Sequence, residues 1–194
     1  MFFRSVAIFF LPVLLAGCFS AQVSLDYLPR PGMHLTGKSE IGVGHFYDNR
    51  GVPPFYLCTS RSALGTPSEH VLLRVPADEA VKNAFLHALE SRGMLADGPD
   101  QKYYLSGEVE VLRANIVQKP FAEAVIRLHV LQTGSDKMVF RRTYSAQRAA
   151  AGFIFGYEDT VQVIRELTSR TLQDAVDKAL DDPALRRAIR ARKY

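Results

Sequence analysis

Three successive stretches between Tyr103 and Ala146 alternate apolar and polar residues, and this pattern constrains the fold more than any other part of the chain. From Tyr103 to Val117, Leu105, Gly107, Val109 and Val111 alternate with Ser106, Glu108 and Glu110. From Ala124 to Leu131, Ile126, Leu128 and Val130 alternate with Arg127 and His129. Thr133-Gly134-Ser135-Asp136 reads as a hairpin turn, and Met138 to Ala146 as the returning strand. A period of two puts every second side chain on one face, so the three runs predict an antiparallel meander with one wet face and one dry face. The dry face must be covered, and the rest of the chain supplies helices to cover it.

Helix one follows Pro76, which is placed at the first helical position, where its missing N–H costs nothing. Asp78 and Glu79 complement the helix dipole, and Val81, Ala84, Phe85, Ala88 and Leu89 form one apolar stripe. Gly93 closes the helix as the residue after the C-cap. Helix two runs from about Asp159 to Leu180, with Val161, Ile164, Leu167, Leu172, Ala175, Val176 and Ala179 at helical spacing. Asp182-Pro183 then restarts a short basic helix bearing Arg186, Arg187, Arg190, Arg192 and Lys193. Residues 183–194 fit either a solvated basic tail or a contact with anionic lipid headgroups, where each cation contributes about 1 kcal/mol.

The N-terminal half is less regular. Val23, Leu25 and Tyr27 suggest an early strand, and Pro29, Pro31, Gly32 and Gly37 a turn-rich connection. Glu40 to Asp48 reads as a second strand, with Gly42 and Gly44 marking a bulge or a close approach. Asn49 to Thr66 reads as a long loop with a short strand at Phe55–Cys58, and Val71 to Val75 as an edge strand. The expected fold class is α+β: an antiparallel (mixed) sheet, two main helices packed on one face, and a short C-terminal basic helix. A single domain over residues 23–182 suits a chain of 194 residues with 47% hydrophobic and 23% charged content.

The chain opens with an address. Arg4 precedes the apolar run Val6 to Leu15, and the small residues Ala16 and Gly17 lead to Cys18. These are the parts of a signal peptide over residues 1–17, whose apolar run is too short to span a bilayer as a helix. Leu15-Ala16-Gly17-Cys18 resembles the bacterial lipobox, which implies cleavage before a lipidated Cys18 and a tether over residues 18–22. Phe19, rather than Asp, after that cysteine resembles outer-membrane sorting. With Cys18 blocked by lipid, Cys58 has no intramolecular partner and reads as a small buried core residue.

The layout is similar to that of the YajG family of outer-membrane lipoproteins. The similarity rests on Leu15-Ala16-Gly17-Cys18, the Val23–Leu25–Tyr27 strand, Ser91-Arg92-Gly93, the meander from Tyr104, and Leu172 to Ile189. Phe46-Tyr47-Asp48-Asn49-Arg50 and Ala63-Leu64-Gly65 add to it. The resemblance implies membrane attachment and this fold, and it brings no catalytic residues.

The residues themselves point to no chemistry. His34, His45, His70, His87 and His129 pair with no other ligand at zinc-site spacing, so neither a metal nor a cofactor is expected. Glu108 and Glu110 share a strand face and read as solvated rather than as an acid–base pair. A net charge of +4 is far too mild for nucleic-acid binding. Asp48 and Arg50 either pair to pin the long loop or contact a partner. Phe153-Ile154-Phe155, held between Gly152 and Gly156, is either a core plug or an exposed partner- or membrane-binding tip. The resulting expectation is a non-enzymatic lipid-anchored protein facing the periplasm, which binds or scaffolds another envelope component. An accessory lipoprotein of an inner-membrane transporter or cell-wall synthase is the alternative, and an enzyme of unknown class comes after it.

Overall fold

The structure is a computed structural model that describes residues 20–29, 40–61, 67–96, 101–115, 120–150 and 157–190. Cys18, Ala63-Leu64-Gly65 and Phe153-Ile154-Phe155 lie outside the described residues. The fold is α+β. The elements run β1 (Ser20–Val23), β2 (Ile41–Asp48), β3 (Tyr56–Arg61), β4 (Pro67–Leu73), α1 (Ala77–Ser91), β5 (Tyr103–Asn115), β6 (Phe121–Gln132), β7 (Lys137–Ala149), α2 (Tyr157–Asp181) and α3 (Pro183–Arg190).

The meander forms where the alternation places it. β5 and β6 pair antiparallel through Leu105–Val130, Gly107–Leu128 and Val109–Ile126, and β6 pairs with β7 through Ile126–Tyr144. These residues share one face, and Leu105, Val109, Ile126 and Leu128 are sealed from solvent. β2 joins the other edge, parallel to β5, giving the order β2-β5-β6-β7. Parallel pairing needs a crossover, which β3, β4 and α1 together supply. Gly107 makes the join possible: a Cβ there would lie 2.6 Å from the Arg127 carbonyl and 2.9 Å from the Phe46 ring. Phe46 instead brings its ring edge against the glycine and stacks on Phe85 of α1, with ring centroids 5.2 Å apart. α2 covers β6 and β7 on the same face; its Asp174 grips Arg148, and Asp182, just past its end, grips Tyr144.

Several expectations are corrected. Instead of a single sheet there are two: β1, β4 and β3 form a separate three-stranded sheet in that order, whose Val23, Leu57, Val71 and Leu73 feed the common core. β4 is therefore a central strand over Pro67–Leu73, not an edge strand over Val71–Val75. The long loop ends early, because β3 begins at Tyr56. The first strand lies before Leu25, over Ser20–Val23, because its N–H and C=O groups find partners in β4 from His70 to Leu73. Pro76 is the N-cap rather than the first helical residue. Gly93, at φ +62°, does follow the C-cap of α1. Its N–H donates to the Glu90 carbonyl and that of Met94 to the Leu89 carbonyl, a Schellman closure that turns the chain toward β2. α3 docks through the buried Leu185.

Candidate partner-binding surface

Asp48 and Arg50 come together at the end of β2. Arg50 Nε and Nη2 donate to Asp48 Oδ1 and Oδ2, each at 2.8 Å. Nη1 donates to the carbonyls of Tyr56 (2.8 Å) and Leu112 (3.2 Å), and Nη2 to that of Pro54 (2.9 Å). All five N–H groups of the guanidinium are thereby paired, with the side chain 3% exposed. Burial works to raise the Asp48 carboxyl, but the hydrogen bonds and charge of Arg50 outweigh it and hold the group below the usual carboxylate range. The pair clamps the turn Gly51-Val52-Pro53-Pro54-Phe55 between the two sheets, and the clamped turn holds Val52 and Phe55 exposed.

Past β1, residues 24–29 leave the sheet and run as a strap along α2. The Asp26 N–H donates to Ser169 Oγ at 3.1 Å, Gln173 Nε2 to the Leu28 carbonyl at 2.7 Å, and Tyr27 Oη to Asp177 Oδ1 at 2.7 Å. Burial, followed by the hydrogen bond to Asp177, pushes the Tyr27 phenol up, so it stays a donor. Arg92 at the end of α1 pairs with the same Asp177 at 2.8 Å and with Asp181 at 2.9 Å, tying strap, α1 and α2 together. Between strap and α1 opens a groove of about 650 Å³, with Leu25, Tyr27, Leu28 and Val75 as apolar walls and Asn83, His87 and Glu90 along the helix. Leu28, at its lip, is 70% exposed.

The remaining candidates are otherwise engaged. Glu108 and Glu110 share Arg127, which bonds Glu108 at 2.9 Å and contacts Glu110 directly. Burial first, then the charge of Arg141, holds His129 below its ordinary value. Cys58 is buried, and burial pushes its thiol up to about 12, the opposite of activation. Among the described residues, no group of His, Cys, Asp and Glu could hold a metal, and no helix is long and apolar enough to cross a membrane. The charge clamp was legible in the sequence, since its partners are two residues apart. Val52, Phe55 and the groove were not, because exposure there depends on how strap and turn are tied down.

The chain matches no family model, and no curated protein matches it. Solved structures do resemble it. A Xanthomonas campestris protein of the DUF330 family superposes with a TM-score of 0.59 at 14% identity, over 84% of this chain and 95% of that one. A structure of an uncharacterised protein gives 0.49 at 12% identity, over 82% and 98%. A minor lipoprotein from Acinetobacter baumannii gives 0.45 at 14%, over 58% and 89%. At 14% identity the likeness to the Xanthomonas protein is one of fold.

Proposed function

We propose that this chain is a non-enzymatic lipoprotein, anchored in the outer membrane through acylated Cys18 with its domain in the periplasm, which binds or scaffolds another envelope component. One observation carries the reading: a lipobox-like Leu15-Ala16-Gly17-Cys18 directly behind an apolar run, with the first strand beginning only two residues later at Ser20. A leader that ends where the fold begins can be removed without touching the domain. The resemblance of the same residues to the YajG family supports the reading. Two or three acyl chains, at about 0.8 kcal/mol per buried CH₂, give durable attachment. The surface best suited to a partner is the groove between strap and α1 together with the clamped Val52–Phe55 turn, because both expose apolar side chains on backbone fixed by buried charge pairs.

The test is fractionation. Wild-type protein should partition with the outer membrane and shift in mass by the diacylglyceryl and acyl groups. Globomycin, which blocks signal peptidase II, should accumulate the unprocessed form. Cys18→Ser should abolish acylation. Unchanged processing and membrane partition under both treatments would overturn the lipoprotein reading.

A further inference from the structure

We infer that the domain stands end-on, with the Ser20/β3–β4 end against the bilayer and the basic helix α3 held away from it. The inference rests on the anchor at Cys18. Two residues of extended chain from Cys18 to Ser20 reach about 7 Å, so whatever lies beside Ser20 lies beside the headgroups. The register names those neighbours: Ser20 pairs with His70 in β4, and His70 pairs with Thr59 in β3. From there β3 and β4 run on past Ser20 to Arg61 and Pro67, making this the leading end of the three-stranded sheet.

The chain then leads away from the membrane. Asp26 meets Arg165 and Ser169, and Leu28 meets Gln173, so the strap runs in the same direction as α2. Ser20 therefore lies toward the start of α2 and α3 beyond its finish. The 25 residues of α2 span about 37 Å at 1.5 Å each. Other elements mark the same far end. Arg92 of α1 meets Asp177 and Asp181, and the Met94 carbonyl accepts from Ile41 at the start of β2. Next to it, the 133–136 turn bonds to Lys102.

This geometry decides between the two roles open to the basic helix. Headgroup charge is felt over a screening length of about 8–10 Å, and α3 begins ten residues past the strap's contact at Gln173, about 15 Å farther along the helix at 1.5 Å per residue. Arg186 already turns inward to Asp181 at 3.3 Å. The lipid surface is read by the β3–β4 end, and α3 faces the aqueous side.

The test attaches the chain from Cys18 onward, which holds every described residue, to vesicles through a maleimide phospholipid. Cys58 is buried, so Cys18 is the thiol that couples. Headgroup-borne diazirine lipids are then photoactivated in phosphatidylethanolamine/phosphatidylglycerol vesicles, and adducts are mapped by mass. Adducts at Thr59, Glu69 and His70 should exceed those on residues 133–136 and on α3 at least fivefold, and the pattern should persist in Arg186→Glu/Arg187→Glu. Equal labelling of both ends, or loss of the pattern in the double variant, overturns the orientation. Because the attachment is chemical, this outcome is independent of whether cells acylate Cys18, which the fractionation experiment reads separately.

Discussion

Arg50 shows how much a single side chain can hold. Replacing it with Ala leaves the Asp48 carboxylate, 12% exposed, without its counter-charge, and the carbonyls of Tyr56, Leu112 and Pro54 without their donor. Breaking such a pair costs about 3–5 kcal/mol, and Arg50→Lys should recover little, since an ammonium cannot span the same fork. Urea unfolding checks both. The pH dependence has a definite sign. Asp48 titrates lower in the folded protein than its unfolded value of about 3.9, so its stabilising contribution is complete above that pH. It is lost as pH falls through the folded value. The gap in urea midpoint between wild type and Arg50→Ala should therefore narrow below about pH 4, and a gap independent of pH would show that the ion pair is not its source. Asp48 and Arg50 could be paired from sequence because they sit two residues apart. The Leu112 carbonyl could not be foreseen, because β3 and β5 meet there only after the second sheet has formed.

At the scale of elements, the meander and both long helices were legible because each repeats one period over many residues: two in β5 to β7, close to 3.6 in α1 and α2. The first half was harder to read for a physical reason. β1 spans four residues and β3 six, too few to establish a period, and the Gly and Pro residues from Gly51 to Pro54 dominate the local pattern. Pairing β2 parallel to β5 is a choice made in three dimensions, and Gly107 is where it is made. Within the alternation Gly107 counts merely as an apolar position, yet it alone gives Phe46 its seat. Gly107→Ala should destabilise the domain by about 1–3 kcal/mol, the usual cost of overpacking, although Ala is the better strand former. The companion Phe46→Leu should restore part of that loss by withdrawing the ring edge. Thermal unfolding of the single and double variants reads the coupling, and strictly additive losses would mean that the ring and the added methyl do not meet.

For the whole molecule, the two sheets raise the question of whether they are two folding units. Their cores are one: Leu57, Cys58, Val71 and Leu73 of the smaller sheet belong to the same buried cluster as Phe85, Leu105, Ile126 and Leu180. Ties of charge also cross between them, since Arg50 holds carbonyls of Leu112 in β5 and of Tyr56 in β3. The strap adds a third link, running out of β1 onto α2. Separating the sheets would expose buried leucines on both sides, so neither sheet is stable without the other. All of these contacts lie among the described residues, from Ser20 onward. The chain beginning at Cys18, unacylated and in solution, should therefore unfold in one cooperative step, with the calorimetric enthalpy equal to the van't Hoff enthalpy. On the anchoring proposed above, its melting temperature should match that of the acylated protein in vesicles to within a few degrees, because the described core begins only at Val23. Two resolved transitions would show that the smaller sheet folds as a unit of its own, and the strap would then be the hinge between them.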